Sequence, residues 1–219
     1  MMELAPKGVS LHFTRMSAEG PAGTHAGQEE RNLSQVASLP DCVKLLAMVL
    51  PRVVVMAHTA TSYTLGQQGE ADLVAKMETL SGARFITAFG SVLAAFSHLG
   101  TRRIAYGTPY SADMTARGKQ HLERCGLTVV NSGHLPNVRN IYEENAERAY
   151  ALARQVDHQS ADVIFLSGVG MPTLETLQSI EEDTGKPVVS AASAMMWHAL
   201  RTADVNCSIK GYGSLLEGS

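Results

Sequence analysis

The sequence is poor in cysteine, in charge and in long apolar runs, and each shortage closes off a class of protein. Its three cysteines, Cys42, Cys125 and Cys207, are an odd number without metal-ligand spacing, so neither a disulfide framework nor a zinc site is indicated and reduced thiols are expected. Charged residues make up only 18% of the chain and the net charge is −3, which offers no basic face to nucleic acid. No apolar run approaches the roughly 20 residues of a membrane-spanning helix, and residues 1–20 lack the basic-then-apolar layout of a signal peptide. A soluble cytoplasmic protein is expected, with neither membrane nor nucleic acid as partner. The phosphate loop G-x-x-x-x-G-K-[ST], a dinucleotide G-x-G-x-x-G after a strand, the hydrolase elbow G-x-S-x-G and the zinc motif H-E-x-x-H are also missing.

What is present is a duplication. Val53-Val54-Val55-Met56-Ala57-His58-Thr59-Ala60-Thr61-Ser62 and Val163-Ile164-Phe165-Leu166-Ser167-Gly168-Val169-Gly170-Met171-Pro172 are each a short apolar run that breaks into small and hydroxylated residues before a helical pattern. The echo continues in Gly82 to Ala88 and Gly185 to Ala191, each ahead of an apolar helix. With 45% hydrophobic residues over 219 positions the chain can bury a sizeable interior. The expected fold is α/β: two pseudo-symmetric halves, each a mainly parallel sheet flanked by helices, with a cleft between them. The first half is expected over 1–99, completed by 190–219, and the second over 100–189.

Along the chain, Val9 to Phe13 reads as a first strand, and Ser17 to Glu30 as a long loop able to act as a lid. Leu39 to Leu50 and Gly69 to Leu80 carry helical apolar patterns, the latter with Leu73, Met77 and Leu80 on one face. Val53 to Ala57, Phe85 to Thr87, Arg103 to Tyr106 and Leu127 to Val130 read as strands. Ser91 to Leu99, Ala112 to Cys125 and Glu143 to Val156 read as helices, and Pro172 suits the first turn of another. In such a sheet ligands lie beyond the carboxyl ends of the strands, where Thr59 to Ser62, Pro109-Tyr110 and Ser167 to Gly170 fall.

Thr61 and Ser62 offer hydroxyl donors and backbone N–H groups that suit a carboxylate, but the same residue types also cap helices for purely local reasons. Ser167-Gly168-Val169-Gly170 lets a ligand approach the backbone closely, or is simply a tight turn. Tyr110 is either a phenol donor or a packed ring. His58, flanked by apolar residues, is either a satisfied structural histidine or a base; if the strand stays regular as far as Ala60, alternation puts both on one side. His198 fits a packed helix face, and Glu29-Glu30 and Glu181-Glu182-Asp183 fit solvated charge.

Taken together, Gly8 to Arg15, Ala60-Thr61-Ser62, Thr108-Pro109-Tyr110, Asn140 to Glu143, Leu166-Ser167-Gly168, Gly185 to Ser190 and Trp197 give the chain a resemblance to the maleate cis-trans isomerase and arylmalonate decarboxylase branch of the aspartate/glutamate racemase superfamily. The resemblance implies an enzyme without metal or organic cofactor, commonly a dimer or larger homo-oligomer, acting on a small carboxylate. It implies that Thr61, Ser62, Tyr110 and the backbone of the second loop hold the substrate carboxylate or its enediolate. It also places the family's two cysteine positions at Ala60 and Gly168, where no thiol stands. His58 is then the most economical acid or base. The expected catalytic set is His58, Ser62 and Tyr110, with Thr59, Ala60, Thr61, Ser167, Gly168, Val169 and Gly170 around the substrate. The expected activity is maleate-isomerase-like, by isomerase or decarboxylase-type chemistry. The alternatives are a hydrolase of a small cyclic or carbonyl compound using His58, and a non-catalytic carboxylate-binding descendant.

Overall fold

The computed structural model describes residues 2–19 and 27–218. Its elements run α1 (Gln28–Ala47), β1 (Val53–Met56), α2 (Thr59–Ser81), β2 (Arg84–Thr87), α3 (Ala88–Leu99), β3 (Arg103–Thr108), α4 (Ala112–Arg124), β4 (Thr128–His134), α5 (Ala146–Val156), β5 (Val163–Leu166), α6 (Leu177–Thr184), β6 (Val188–Ser190), α7 (Ala191–Thr202) and α8 (Ser214–Glu217). Two parallel sheets result, β1-β2 and β4-β3-β5-β6, each flanked by helices. Parallel neighbours need a crossover, and the helices between the strands supply it.

The strand side chains divide by period two. Val163 and Phe165 of β5 enter the core shared with Phe89, Phe96, Met196 and Trp197, whereas Ile164 and Leu166 enter a second core with Leu152, Val156, Leu177 and Ile180. All four are fully buried, which for side chains of this size is worth about 1.5–3 kcal/mol each. A third core lies beneath β1 and β2, where Val54, Met56 and Phe85 meet Leu39 and Val43 of α1 and Leu73 and Met77 of α2. The helical spacing of Leu73 and Met77 produces that burial, while Leu80, at the end of the same stripe, is 36% exposed.

The internal duplication is visible in the backbone angles. α2 and α6 both end on a left-handed glycine, Gly82 at φ 67, ψ 11 and Gly185 at φ 66, ψ 20. Five residues later α3 and α7 start from hydroxyl caps of matching geometry, Thr87 at φ −104, ψ 160 and Ser190 at φ −103, ψ 158. Each cap accepts from the backbone N–H three residues on, Gly90 and Ser193 respectively. The two helices so started pack on one another, with the His98 ring 5.0 Å from the Trp197 ring and Ser91 Oγ 3.1 Å from His198 Nδ1.

Several expectations change. Val9 to Phe13 is not a strand: it joins no ladder, and although Val9 and Leu11 pack against the core, an extended segment without a paired neighbour has no sheet to belong to. The expected loop over Ser17 to Glu30 already turns helical at Gln28, and its residues 20–26, with the expected lid, lie outside the described residues. Pro172 precedes a short 3-10 turn at Leu174–Thr176 and is outside α6. Glu181 is a structural carboxylate that accepts from the backbone N–H of Val188 and Ser214, so it fastens β6 to α8.

Candidate active site

The carboxyl ends of β1, β3 and β5 bring their following residues together in the interior. The Tyr63 hydroxyl lies 3.0 Å from Ser167 Oγ, and the Tyr106 hydroxyl donates to that of Tyr63 at 3.3 Å. The Tyr110 phenol also lies close to the Ser167 and Thr59 hydroxyls. Thr59 Oγ1 is buried and makes no bond of good geometry itself. Tyr63 joins Ser167 to Tyr106, and with Tyr110 and Thr59 beside them these residues form a set of five buried hydroxyls.

Protonation follows from burial. Desolvation pushes the Tyr110 phenol up to about 12, against the nearby Ser167 and Thr59 hydroxyls, which favour the phenolate. Desolvation raises Tyr63 and Tyr106 further. All three stay neutral O–H groups at neutral pH. An open chain of hydroxyls always leaves one O–H that is not donated within the chain, so the cluster has a proton to offer an anion.

The first loop takes its shape from β1 ending at Met56 and α2 beginning at Thr59. His58 is the residue before the helix, at φ −150, ψ 103, and its Nδ1 lies 2.6 Å from Thr61 Oγ1. The alternation argument that set His58 beside Ala60 therefore fails, because Ala60 is helical; it is fully buried in the core. Desolvation, with the Arg31 guanidinium nearby, lowers His58 to about 4, so the imidazole is neutral at neutral pH. Thr61 is committed to His58. Ser62 donates at 2.7 Å to Glu70 Oε1, which also accepts from Thr87 Oγ1. Glu70 is eight positions from Ser62, too far along a straight helix for contact, and reaches it because α2 breaks at Gly66, whose φ of 70 and ψ of 176 are open to glycine.

The second loop is held by Ser167 N–H donating to Gly107 O and Met171 N–H to Gly168 O. Gly168 sits at φ 95, and a Cβ there would lie 2.6 Å from the Pro109 ring. No side chain fits. Val169 and Gly170 line a cavity of about 210 Å³ bounded by Glu3, Pro172, Glu175 and Ala192. Ile141 and Tyr142 lie against Gly170.

Counted from the strand ends, His58 follows β1 by two residues and Gly168 follows β5 by two. The duplicated units thus pair His58 with Gly168, whereas the sequence resemblance paired Ala60 with it. Tyr63, Tyr106 and Glu70 were not singled out from the sequence, and Tyr142 entered only as part of the Asn140 to Glu143 motif. The signal was available for one of them: Tyr63 adjoins the Thr61-Ser62 pair, and a tyrosine just inside a loop flanked by hydroxyls is a natural donor.

The arylmalonate decarboxylase family profile matches residues 16–216. The chain belongs to the arylmalonate decarboxylase family. It is 29% identical to the maleate isomerase of Nocardia farcinica over 94% of its own length and 83% of that protein's. It is 27% identical to the maleate isomerase of Geobacillus stearothermophilus, of which the match spans only 62%, against 69% of this chain. A solved Nocardia farcinica maleate cis-trans isomerase mutant with a covalently bound succinylcysteine intermediate superimposes with a TM-score of 0.89 at 24% identity, over 100% of this chain and 90% of that one. That likeness establishes the fold. Among the described residues no helix is long and apolar enough to cross a membrane, and no three His, Cys, Asp or Glu side chains gather as a metal site. All three cysteines are unpaired, and Cys125 Sγ accepts from Gln67.

Proposed function

We propose that this protein is an enzyme acting on a small carboxylate by isomerase or decarboxylase-type chemistry, using its own side chains in a site between two α/β halves, 1–99 with 190–219 and 100–189. The observation that carries the reading is the buried, uncharged hydroxyl cluster with an unsatisfied Thr59 Oγ1, set beside His58 at the strand ends. Both reaction types build negative charge on carboxylate or enediolate oxygens. Prearranged donors stabilise such charge, each by on the order of 3 kcal/mol. Thr59, Tyr110 and Ser167 supply donors, and Gly168, Val169 and Gly170 supply backbone that a ligand can approach. His58 takes the place that the duplication pairs with Gly168. In the tautomer that donates Nδ1–H to Thr61, Nε2 carries the lone pair that exchanges a proton with substrate, and a bound carboxylate raises its affinity for that proton. Ser62 and Ala60 serve the site indirectly, Ser62 through Glu70 and Ala60 as core beneath the loop.

The test is calorimetry with maleate and phenylmalonate, followed by NMR of each mixture for fumarate or phenylacetate. Saturable binding and product, both lost in Tyr110→Phe and His58→Gln, are expected; equal turnover in both variants would overturn the assignment. A second reading, a carboxylate-binding protein without chemistry, is favoured by one observation, the closed space at Gly168 that leaves the second loop without a reactive side chain. Ligand-dependent stabilisation with no product would decide for it. Hydrolysis of a cyclic substrate by His58 would show as ring-opened product in the same spectra. We further propose a cytoplasmic homo-oligomer, which sedimentation would check.

A further inference from the structure

α2 is interrupted where a helix would otherwise run on. At Gly66 the backbone takes φ 70, ψ 176, a conformation that side chains tolerate poorly. Glu70, beyond the break, reaches back to the start of the helix. Its Oε1 accepts from Ser62 Oγ at 2.7 Å and also from Thr87 Oγ1. Both hydroxyls are buried, at 0% and 2% exposure, and they belong to different elements. Ser62 lies in the first turn of α2, whereas Thr87 caps α3 and accepts there from Gly90 N–H at 2.8 Å. Tyr63 stands between these two anchors. Its backbone follows Ser62, and its ring meets Phe89 of α3 edge-on with centroids 5.5 Å apart.

We infer that Glu70 is a positioning residue for the site, its one carboxylate holding Ser62 and Thr87 together so that the Tyr63 hydroxyl is set against Ser167. The inference rests on the reading of the site given above and adds to it what keeps the hydroxyls in place. Successive helical residues point roughly 100° apart, so holding Ser62 toward Glu70 fixes the direction of Tyr63, whose hydroxyl lies 3.0 Å from Ser167 Oγ. Holding Thr87 sets the start of α3, and with it the Phe89 ring against which Tyr63 lies. A carboxylate suits two donors on one oxygen, since when ionised it has no proton of its own to place, and bonds to it are charge-assisted. Reach matters as much as charge, because an aspartate would fall short by one C–C bond, about 1.5 Å. Ser62→Ala removes one arm and leaves the Thr87 arm, whereas loss of Glu70 releases both.

The experiment is a double-mutant cycle on the full chain between Glu70→Ala and Tyr63→Phe, read in maleate affinity by titration calorimetry and in the urea midpoint. Glu70→Ala alone is expected to weaken maleate binding by at least about tenfold, and to have little further effect once the Tyr63 hydroxyl is absent, which a merely structural residue would not show. The urea midpoints are expected to be coupled in the same way, the double variant falling by less than the sum of the single shifts. Glu70→Gln keeps an acceptor of the same reach and is expected to restore most of the affinity. Glu70→Asp keeps the charge without the reach and is expected to behave like Glu70→Ala; should Glu70→Ala not fold, Glu70→Asp runs the same cycle. Unchanged affinity in Glu70→Ala, additive effects in either readout, or Glu70→Asp binding maleate as tightly as wild type would overturn the inference. If the urea midpoints are coupled but wild type binds no carboxylate saturably, the placement of Tyr63 by Glu70 is upheld and the reading of the site falls.

Discussion

The Tyr63 hydroxyl and Ser167 Oγ meet at 3.0 Å although 104 positions separate them. One belongs to the helix after β1 and the other to the loop after β5, so this contact ties together the two copies of the repeated unit. Tyr63→Phe keeps the ring against Phe89 and His121 and removes only the oxygen. Two buried hydroxyls then lose a partner, and a stability loss of about 1–3 kcal/mol is expected in urea titration. A loss under about 0.5 kcal/mol would show that the contact is not formed.

His58 predicts a pH dependence of defined sign. Its folded value of about 4 is below the ordinary 6.5, so between those values the unfolded chain binds more protons. Stability then rises with pH over that window, is complete above it, and falls as pH drops through 6.5 toward 4. His121 and His198, both lowered by burial, act in the same direction. His58→Gln should flatten the stability profile between pH 4 and 6.5 by up to about 1.4 kcal/mol per pH unit. An unchanged slope would show that His58 titrates normally.

Gly168 predicts that a thiol cannot simply be reinstated. In Gly168→Cys the new Cβ meets Pro109 at 2.6 Å on a backbone at φ 95. A melting temperature several degrees lower is expected, in line with about 1–3 kcal/mol of strain, and no saturable gain of turnover. His58→Cys, at the pseudo-equivalent position before α2, is expected to fold and to react with iodoacetamide. Normal stability of Gly168→Cys would contradict the geometry.

Thr59 and Ser62 are separable. Ser62→Ala breaks the bond to Glu70 and should cost about 1–2 kcal/mol of stability, with a small effect on carboxylate binding. Thr59→Val removes a hydroxyl that has no partner of good geometry in the free protein, so stability should hold while carboxylate affinity falls. The reverse pattern in calorimetry and thermal melts would make Ser62 the first-loop donor.

The sequence announced most of the architecture because hydrophobic period and glycine placement are local signals. Leu73 and Met77 foretold a buried helix face, and the stretches Gly82 to Ala88 and Gly185 to Ala191 foretold the apolar helices α3 and α7 that follow them. Val9 to Phe13 misled because strand character in a sequence says nothing about whether a neighbour exists to pair with. The site was legible as loops but not as bonds. Which hydroxyl faces which partner depends on the break at Gly66 and on helix phase: one residue separates Ser62, turned to Glu70, from Tyr63, turned to Ser167. Glu70 was invisible for the same reason, being brought to Ser62 by the break in α2 and not by any motif.

The two copies of the repeated unit share their glycine ends and hydroxyl caps but not what they present, since an imidazole stands two residues after β1 where a glycine stands two residues after β5. In the function proposed above, a flat intermediate held between these two loops would meet the imidazole from one side only. Any stereocentre created there would consequently be formed in a single hand.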